Sequence, residues 1–405
     1  MRSQSNEVKN DNMIVHVFMG NRYHHVPSMI KNILSNSKKE HFFILYFRNE
    51  DQDNGSRYRE LFKTLNHPYY QIAVVPELGA IVRGTSRLGI SDVCRDSIHY
   101  ALFKNRKRPI VFHGEYAFRR GDSLIYFFLS PLFRSIAWVC WGFVPGRNPL
   151  SGSGWKEKLT GLFNRMIMRK ELARFDRIVC LLGGDQNELM ARYTLNNTVV
   201  IPYIDDTPSY ADPDAINTVS NQMPCRVLLG NSATDVGNYM EVVDMLAGFS
   251  SKVTLRAMLN YGKPPQEDYD LFISKASEVF GGNFFPWTEL VEKTKYIECL
   301  KMQDIYICNT ETQTGLGAIY FSMLLGKKLY LNGYNYEWIK NNGFKIFHVK
   351  DIYGLDYDNF VKPLSIEDRI YNLNKLEDLL NIKQVASKWE SLYDDLLVSR
   401  NGNHM

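Results

Sequence analysis

The stretch Asp304–Asn332, DIYICNTETQTGLGAIYFSMLLGKKLYLN, decides the fold class. Ile305 to Cys308 is an apolar run of strand length. Small and polar residues follow, then Gly315-Leu-Gly317, then a mostly apolar segment from Ala318 to Leu325 closed by Gly326, then a second apolar run, Leu329 to Leu331. That order predicts strand, glycine loop, helix, strand, which aims backbone N–H groups and the positive end of a helix at an anion. A short Gly-x-Gly turn before a helix equally serves tight packing. Taken alone, the loop leaves both readings open.

Upstream, the same grammar recurs. Val227 to Leu229 reads as a strand ending in Gly230-Asn231-Ser232, with a helix over Asp235 to Phe249. Such a turn suits phosphate or ribose through backbone N–H groups and a hydroxyl. A helix start capped by Ser232 or Asp235 is an equally economical reading. A strand at Val253 to Ala257, the loop Asn260 to Pro265 containing Tyr261, a helix to Phe280, the segment Asn283 to Pro286 and a helix over Val291 to Met302 lead back into the opening stretch. Before all of this, Asp205 to Pro224 is rich in Asp, Pro, Ser and Asn, the composition of a linker.

The first half also alternates strand and helix. Met13 to Phe18 predicts a buried first strand, followed by a loop with His24-His25 that opens a helix. Phe42 to Phe47, Ile72 to Val75, Arg177 to Leu182 and Thr198 to Pro202 supply further strands. Pro109 to His113 is another, running into Gly114 and Glu115. His25, His113 and Glu115 are titratable groups at strand ends, where open α/β sheets place chemistry, so each is a candidate general base. The alternatives are a solvated turn at His25 and a hydrogen-bonded core histidine at His113. Ser123 to Phe143 is strongly apolar, but Pro131 and Arg134 cut it into runs too short to span a bilayer. Trp155 to Phe175 places Trp155, Leu159, Leu162, Phe163 and Met166 on one helix face amid Lys156, Lys158, Arg165, Arg169, Lys170 and Arg174. That is either a helix lying on anionic headgroups or an ordinary solvated basic face.

At 405 residues, 45% hydrophobic and 23% charged, the chain suits two soluble globular domains. Residues 1–205 carry 29 Lys+Arg against 18 Asp+Glu, a balance of +11; the remaining 19 against 26 give −7 for residues 206–405. A basic half can meet an anionic membrane or a phosphorylated substrate. Nucleic acid is disfavoured because no recognisable binding motif accompanies the cations. The six cysteines are scattered without zinc spacing. The polar start, Met1 to Asn12, does not resemble a secretory signal, which points to the cytoplasm and a reducing compartment.

These features fit a GT-B glycosyltransferase, a sugar-nucleotide epimerase of the same fold, or a non-catalytic two-lobed sugar-binding protein. Certain short motifs then narrow the choice. Leu229-Gly-Asn-Ser232, the Tyr261-Gly-Lys-Pro-Pro265 to Tyr269 segment, Glu292-Lys293 to Tyr296, and Gln313-Thr-Gly-Leu-Gly317 with Asn332 downstream resemble the 4-acetamido-4,6-dideoxygalactosyltransferase family. These are the bacterial TDP-N-acetylfucosamine:lipid II N-acetylfucosaminyltransferases of enterobacterial common antigen synthesis. In the first half, His16-Val17, His24-His25, Phe112-His113-Gly114 and Trp141-Gly142 fall in the family's order.

The resemblance implies an α/β GT-B enzyme whose two Rossmann-like, doubly wound domains face a cleft. The expected boundaries are a tail over 1–12, an acceptor domain over 13–205, a linker over 206–224, a nucleotide-sugar domain over 225–385, and a C-terminal helix and tail over 386–405. A (deoxy-amino) sugar would pass from a nucleotide diphosphate, a dTDP-sugar by the resemblance, to a polyprenyl-diphosphate-linked glycan at the inner face of the cell membrane. Gly230, Asn231, Ser232, Tyr261, Glu311, Thr312, Gln313, Thr314, Gly315 and Gly317 would hold the donor. His25, His113 or Glu115 would take the acceptor proton in an inverting reaction, and Trp155, Lys156, Arg165 and Arg169 would meet the membrane or acceptor. No cofactor is implied, and no metal, since no Asp-x-Asp motif stands in a loop suited to one. Relatives tend to carry an arginine just before the glycine loop where this chain has Thr312, so the diphosphate must rely on amides, hydroxyls or a cation from elsewhere.

Overall fold

A computed structural model describes residues 12–19, 26–47, 61–65, 70–76, 102–114, 132–142, 166, 168–204, 207–211, 214, 216, 223–262, 264–289, 291 and 293–398. The chain divides into two compact units, residues 1–205 with 382–405, and residues 206–381.

The first unit is built on seven strands: β1 (Met13–Met19), β2 (Glu40–Phe47), β3 (Tyr70–Pro76), β4 (Pro109–His113), β5 (Ser135–Cys140), β6 (Arg177–Cys180) and β7 (Thr198–Val200). They form one sheet in the order β3-β2-β1-β4-β5-β6-β7, every described pairing parallel. Parallel strands are covered on both faces, so their sequences read as continuous apolar runs; β4 and β5 are buried at every residue. β5 lies inside the aromatic Ser123–Phe143 segment, where no alternation marks it. Helix α1 (Val26–Asn36) turns Val26, Ile30, Ile33 and Leu34 inward, the i, i+4, i+7 spacing of one face. Helix α2 (Gly183–Tyr193) follows β6.

The C-terminal helix, Ile382–Val398, also belongs to this unit. It buries Val385, Trp389, Leu392, Tyr393 and Leu396 on the sheet face formed by Ile14, Val111, Ala137, Val139 and Val179. The Trp389 indole donates to Pro202 O at 2.8 Å and the Ser135 hydroxyl to Leu396 O at 2.6 Å. Five buried apolar side chains of this kind contribute on the order of 1.5–3 kcal/mol each.

The second unit carries β8 (Cys225–Leu229), β9 (Val253–Met258), β10 (Phe284–Trp287), β11 (Ile305–Cys308), β12 (Lys328–Leu331) and β13 (Phe347–His348). Their order is β10-β9-β8-β11-β12-β13, again parallel. The helices are α3 (Val236–Leu246), α4 (Gln266–Phe280), α5 (Lys293–Lys301), α6 (Leu316–Leu324), α7 (Gly333–Asn341), α8 (Tyr357–Val361) and α9 (Ile366–Leu379). The opening stretch thus folds as strand, loop, helix and strand. Part of the segment read as a linker has structure within this unit: Thr207–Tyr210 is a 3-10 turn, and Ile216 is buried with its carbonyl accepting from the Arg369 guanidinium at 3.1 Å. Among the described residues no helix is long and apolar enough to cross a membrane.

Candidate functional site

In the second unit the chain runs from β8 outward to β9 and β10, then returns to place β11 on the other side of β8. Open α/β sheets bind ligands in the crevice at such a reversal, outside the strands' carboxyl ends. The loops after β8 and β11 are the two singled out in the sequence, and they touch: Asn231 Nδ2 donates to Thr314 Oγ1 at 3.1 Å. Gly315 has φ +67°, and a Cβ there would stand 2.8 Å from Asn231 Cγ, so only glycine suits this contact.

Gly315 precedes α6 without a side-chain cap. The first intrahelical bond runs from Ile319 N–H to Gly315 O at 3.0 Å. The amides of Leu316, Gly317 and Ala318 therefore lie at the positive end of the helix, ahead of that bond. Gly317 is exposed, and a Cβ on it would meet nothing within 4 Å. Packing within the protein does not demand this glycine, and the open volume before it is where an anion would approach these amides. No Lys or Arg stands in residues 309–317.

The loop is braced from beneath. Thr310 Oγ1 donates to Thr312 O at 3.0 Å, and Asn335 Nδ2, fully buried at the start of α7, donates to Thr314 O at 2.8 Å. Asn332 Nδ2 donates to Asn309 Oδ1 at 2.9 Å and to Glu311 Oε1 at 3.0 Å. Asn309 in turn donates to Asn238 O and to the Glu241 carboxylate. Gln313 is buried at 3% exposure, which makes it part of this scaffold.

One expectation needs correction. The amides of the Gly230-Asn231-Ser232 turn are not turned toward a phosphate. Gly230 N–H donates to Ile307 O at 2.8 Å, while those of Asn231 and Ser232 point at the Tyr239 hydroxyl at 3.1 and 3.3 Å. That hydroxyl donates back to Ser232 O at 2.7 Å. Ser232 Oγ accepts the Thr234 N–H, so it caps the helix start, and it donates to Tyr261 O at 3.0 Å. Asp235 makes no capping bond; burial lifts its carboxyl to about 6. Of the turn, the Asn231 side chain is what reaches the glycine loop. Tyr261 anchors this turn by its carbonyl, the residue being 43% exposed.

In the first unit the same reversal falls between β1 and β4. His25 and Glu115 lie outside the described residues, as do Trp155, Lys156 and Arg165. His113 is described, and of the two readings left open for it, general base or hydrogen-bonded core histidine, its surroundings are those of the second. Its exposure is 0%, Nε2 lies 3.0 Å from His16 Nδ1, and Nδ1 lies 2.7 Å from the Tyr203 hydroxyl. Burial holds its pKa well below the ordinary histidine value. Around it, Gly114 (φ +81°) passes beneath Trp141, and Gly142 N–H donates to buried Asp185 at 3.1 Å, fixing the turn after β5. Arg169 is exposed, on a helical segment that buries Glu171 and Leu172. Met166, assigned in sequence to the apolar face, is 61% exposed.

Tyr239, Asn309, Gly333, Asn335, Tyr203 and Asp185 went unmarked in sequence. Only the turn signal Asn332-Gly333 after an apolar run could have pointed to one of them. Among the described residues no three His, Cys, Asp or Glu side chains converge to hold a metal ion.

Neither a family model nor a curated protein matches the sequence. Solved structures do match in fold. Sucrose-phosphate synthase from Thermosynechococcus elongatus superposes with a TM-score of 0.67 at 11% identity, over 96% of this chain and all of that one. Anabaena HepE, solved in complex with UDP and glucose, gives 0.62 at 11% identity over 94% and 99%. The lipopolysaccharide outer core galactosyltransferase WaaB gives 0.60 at 10% identity over 96% and 99%. The chain has the two-domain, Rossmann-like GT-B fold of these glycosyltransferases.

Proposed function

We propose that the protein is a glycosyltransferase that takes a sugar from a nucleotide diphosphate donor held at the β8/β11 reversal. The carrying observation is the uncapped start of α6, with Gly317 opening onto empty space beside three amides ahead of the first helical bond. Those amides and the Thr312 and Thr314 hydroxyls are suited to stabilise a diphosphate as it leaves, without a cation in the loop. Glu311, Gln313 and Gly315 shape the loop, and Asn231 ties it to the neighbouring strand end. That HepE was solved with UDP and glucose supports a nucleotide-sugar donor.

Motif resemblance extends the reading to a dTDP-linked deoxy-amino sugar such as N-acetylfucosamine and a polyprenyl-diphosphate-linked acceptor. The +11 balance of residues 1–205 and the exposed Arg169 and Met166 support approach to an anionic membrane face. A thermal-shift panel of dTDP, UDP and GDP and their sugars tests this. Ligand at 100 times its Kd raises stability by about 2.7 kcal/mol, and dTDP compounds are expected to do so first. Preference for UDP or GDP would replace the donor, and no stabilisation by any of them would remove the reading.

A further inference from the structure

Strands β4, β5 and β6 are parallel neighbours in the first sheet, so the segments leading into them lie side by side at its amino edge, opposite the Gly114 and Gly142 turns. Hydrogen bonds lock these segments together. Arg134 N–H, ahead of β5, donates to Arg106 O, ahead of β4, at 2.8 Å. Asp176, ahead of β6, accepts the Ile136 N–H at 2.7 Å and donates its own to Ile136 O at 2.8 Å. The C-terminal helix ends at the same place, its Leu397 carbonyl accepting from the Arg134 guanidinium.

The charge of this edge is one-sided. Residues 102–109, 132–135 and 168–177 hold nine Lys and Arg against two acids, Glu171 and Asp176. Glu171 is buried, and Asp176 is engaged with Ile136. Asp395 of the C-terminal helix pairs with Arg177 at 3.2 Å. Lys104, Lys107, Arg169 and Lys170 are exposed and meet no carboxylate among the described residues. Apolar side chains stand in the open between them: Phe103 is 43% exposed, Leu132 52% and Val398 69%. All three lie around Arg134. Leu132 precedes it by two residues, Val398 follows the carbonyl it holds, and Phe103 carries the Arg106 guanidinium 4.2 Å over its ring.

We propose that this amino edge is a membrane-docking surface, on which Phe103, Leu132 and Val398 enter the headgroup region of an anionic bilayer while the neighbouring lysines and arginines meet lipid phosphates. Cations are drawn to an anionic leaflet, and apolar side chains leave water at its boundary. A nucleic acid would engage the cations through its phosphates and leave Leu132 and Val398 wet. Resting on the anionic-membrane reading but not on the donor site, this surface also constrains the acceptor. β5 spans six residues, about 20 Å. With the strands upright on the bilayer, the carboxyl edge stands that far from the headgroups. An acceptor anchored in the same bilayer must bridge this length, which suits a lipid-linked glycan of several sugars and excludes a bare lipid diphosphate.

The test is co-sedimentation of the full-length protein with phosphatidylglycerol/phosphatidylcholine vesicles, with a short DNA duplex as the competing polyanion. The parent is expected to bind the anionic vesicles, to release them as salt rises, and to ignore pure phosphatidylcholine. Lys104→Ala with Lys107→Ala should weaken vesicle binding by about 30-fold. Leu132→Ser should weaken it by roughly fivefold to tenfold while keeping the salt dependence. All three side chains are exposed, so both variants should melt at the parent temperature. A parent that ignores anionic vesicles would remove the membrane reading as a whole. Vesicle binding unmoved in both variants would overturn this surface while leaving that reading in place. Loss with the lysines but not with Leu132→Ser, matched by loss of duplex binding, would make the edge a general polyanion surface and overturn the docking. Nucleotide binding is measured separately by calorimetry; its absence in the parent would remove the donor reading without touching the vesicle result.

Discussion

Gly333 leaves no room for a side chain above Glu311: a Cβ placed on it would lie 2.6 Å from the Glu311 carbonyl carbon and nearer still to the oxygen. The first turn of α7 is thus pressed against the main chain of the glycine loop, and Tyr334 N–H donates to Glu311 O at 3.3 Å. The position of the loop is set by the strand next door.

Gly333→Ala is expected to cost more than backbone strain. Its φ of +55° alone costs an L-residue about 1–2 kcal/mol. Gly281→Ala, at φ +50° and ψ −124° with nothing within 4 Å of the new Cβ, carries positive-φ strain without a clash. In denaturant unfolding, Gly333→Ala is predicted to lose more than Gly281→Ala and also to weaken nucleotide binding. Equal losses, with binding intact, would show that the contact with Glu311 does not matter.

The Tyr239 hydroxyl serves two amides and a carbonyl of the turn after β8. Tyr239→Phe leaves these buried groups without it, a cost of about 1–3 kcal/mol. The turn also touches Thr314 through Asn231, so nucleotide affinity should fall along with stability. Loss of stability with unchanged affinity by calorimetry would separate the turn from the site.

Much of this was legible in the sequence, and the reason differs by element. The β11-loop-α6-β12 unit announces itself because two buried parallel strands are short apolar runs and glycines punctuate what lies between. β5 is hidden because an aromatic run reads the same with or without a strand in it. Tyr239 looks like any apolar-face residue of an amphipathic helix; its role appears only when β8 ends beneath it. His16, His41 and His113 are separated by 25 and 97 residues, and only the β2-β1-β4 order brings them together.

Those histidines predict how the first unit responds to acid. Folded His16 and His113 have pKa values well below 6.5, so below pH 6.5 the unfolded chain binds more protons and stability falls as pH falls. Each contributes a slope of up to about 1.4 kcal/mol per pH unit, continuing down to the folded pKa. Glu171 opposes them: burial raises its carboxyl to about 7, so the folded state holds an extra proton from there down to its ordinary value. Glu171→Gln should therefore steepen the acid loss between pH 7 and 4.5. A stability curve that stays flat there in both proteins would contradict the neutral, buried assignment.

Arg169 and Lys170 are exposed beside Met166. If this segment meets anionic headgroups, each cation contributes about 1 kcal/mol at the surface. The double change Arg169→Ala with Lys170→Ala should then lower binding to phosphatidylserine vesicles by about 30-fold at low salt, and less at high salt. Co-sedimentation unaffected by the change would reduce the segment to a solvated basic face.

Gly317 offers the sharpest test, because the physics of fold and of function pull in opposite directions. It sits in the first turn of α6, exposed, with open space around its missing Cβ. Replacing helical Gly gains up to about 1 kcal/mol in helix propensity for Ala and somewhat less for other residues. Gly317→Ala and Gly317→Trp should therefore unfold at or above the parent temperature. An indole in front of the Leu316, Gly317 and Ala318 amides would nonetheless occupy the volume assigned to the diphosphate. Gly317→Trp should abolish nucleotide binding in calorimetry with dTDP and UDP, with Gly317→Ala intermediate. A folded Gly317→Trp that binds with parent affinity would move the donor away from this helix end.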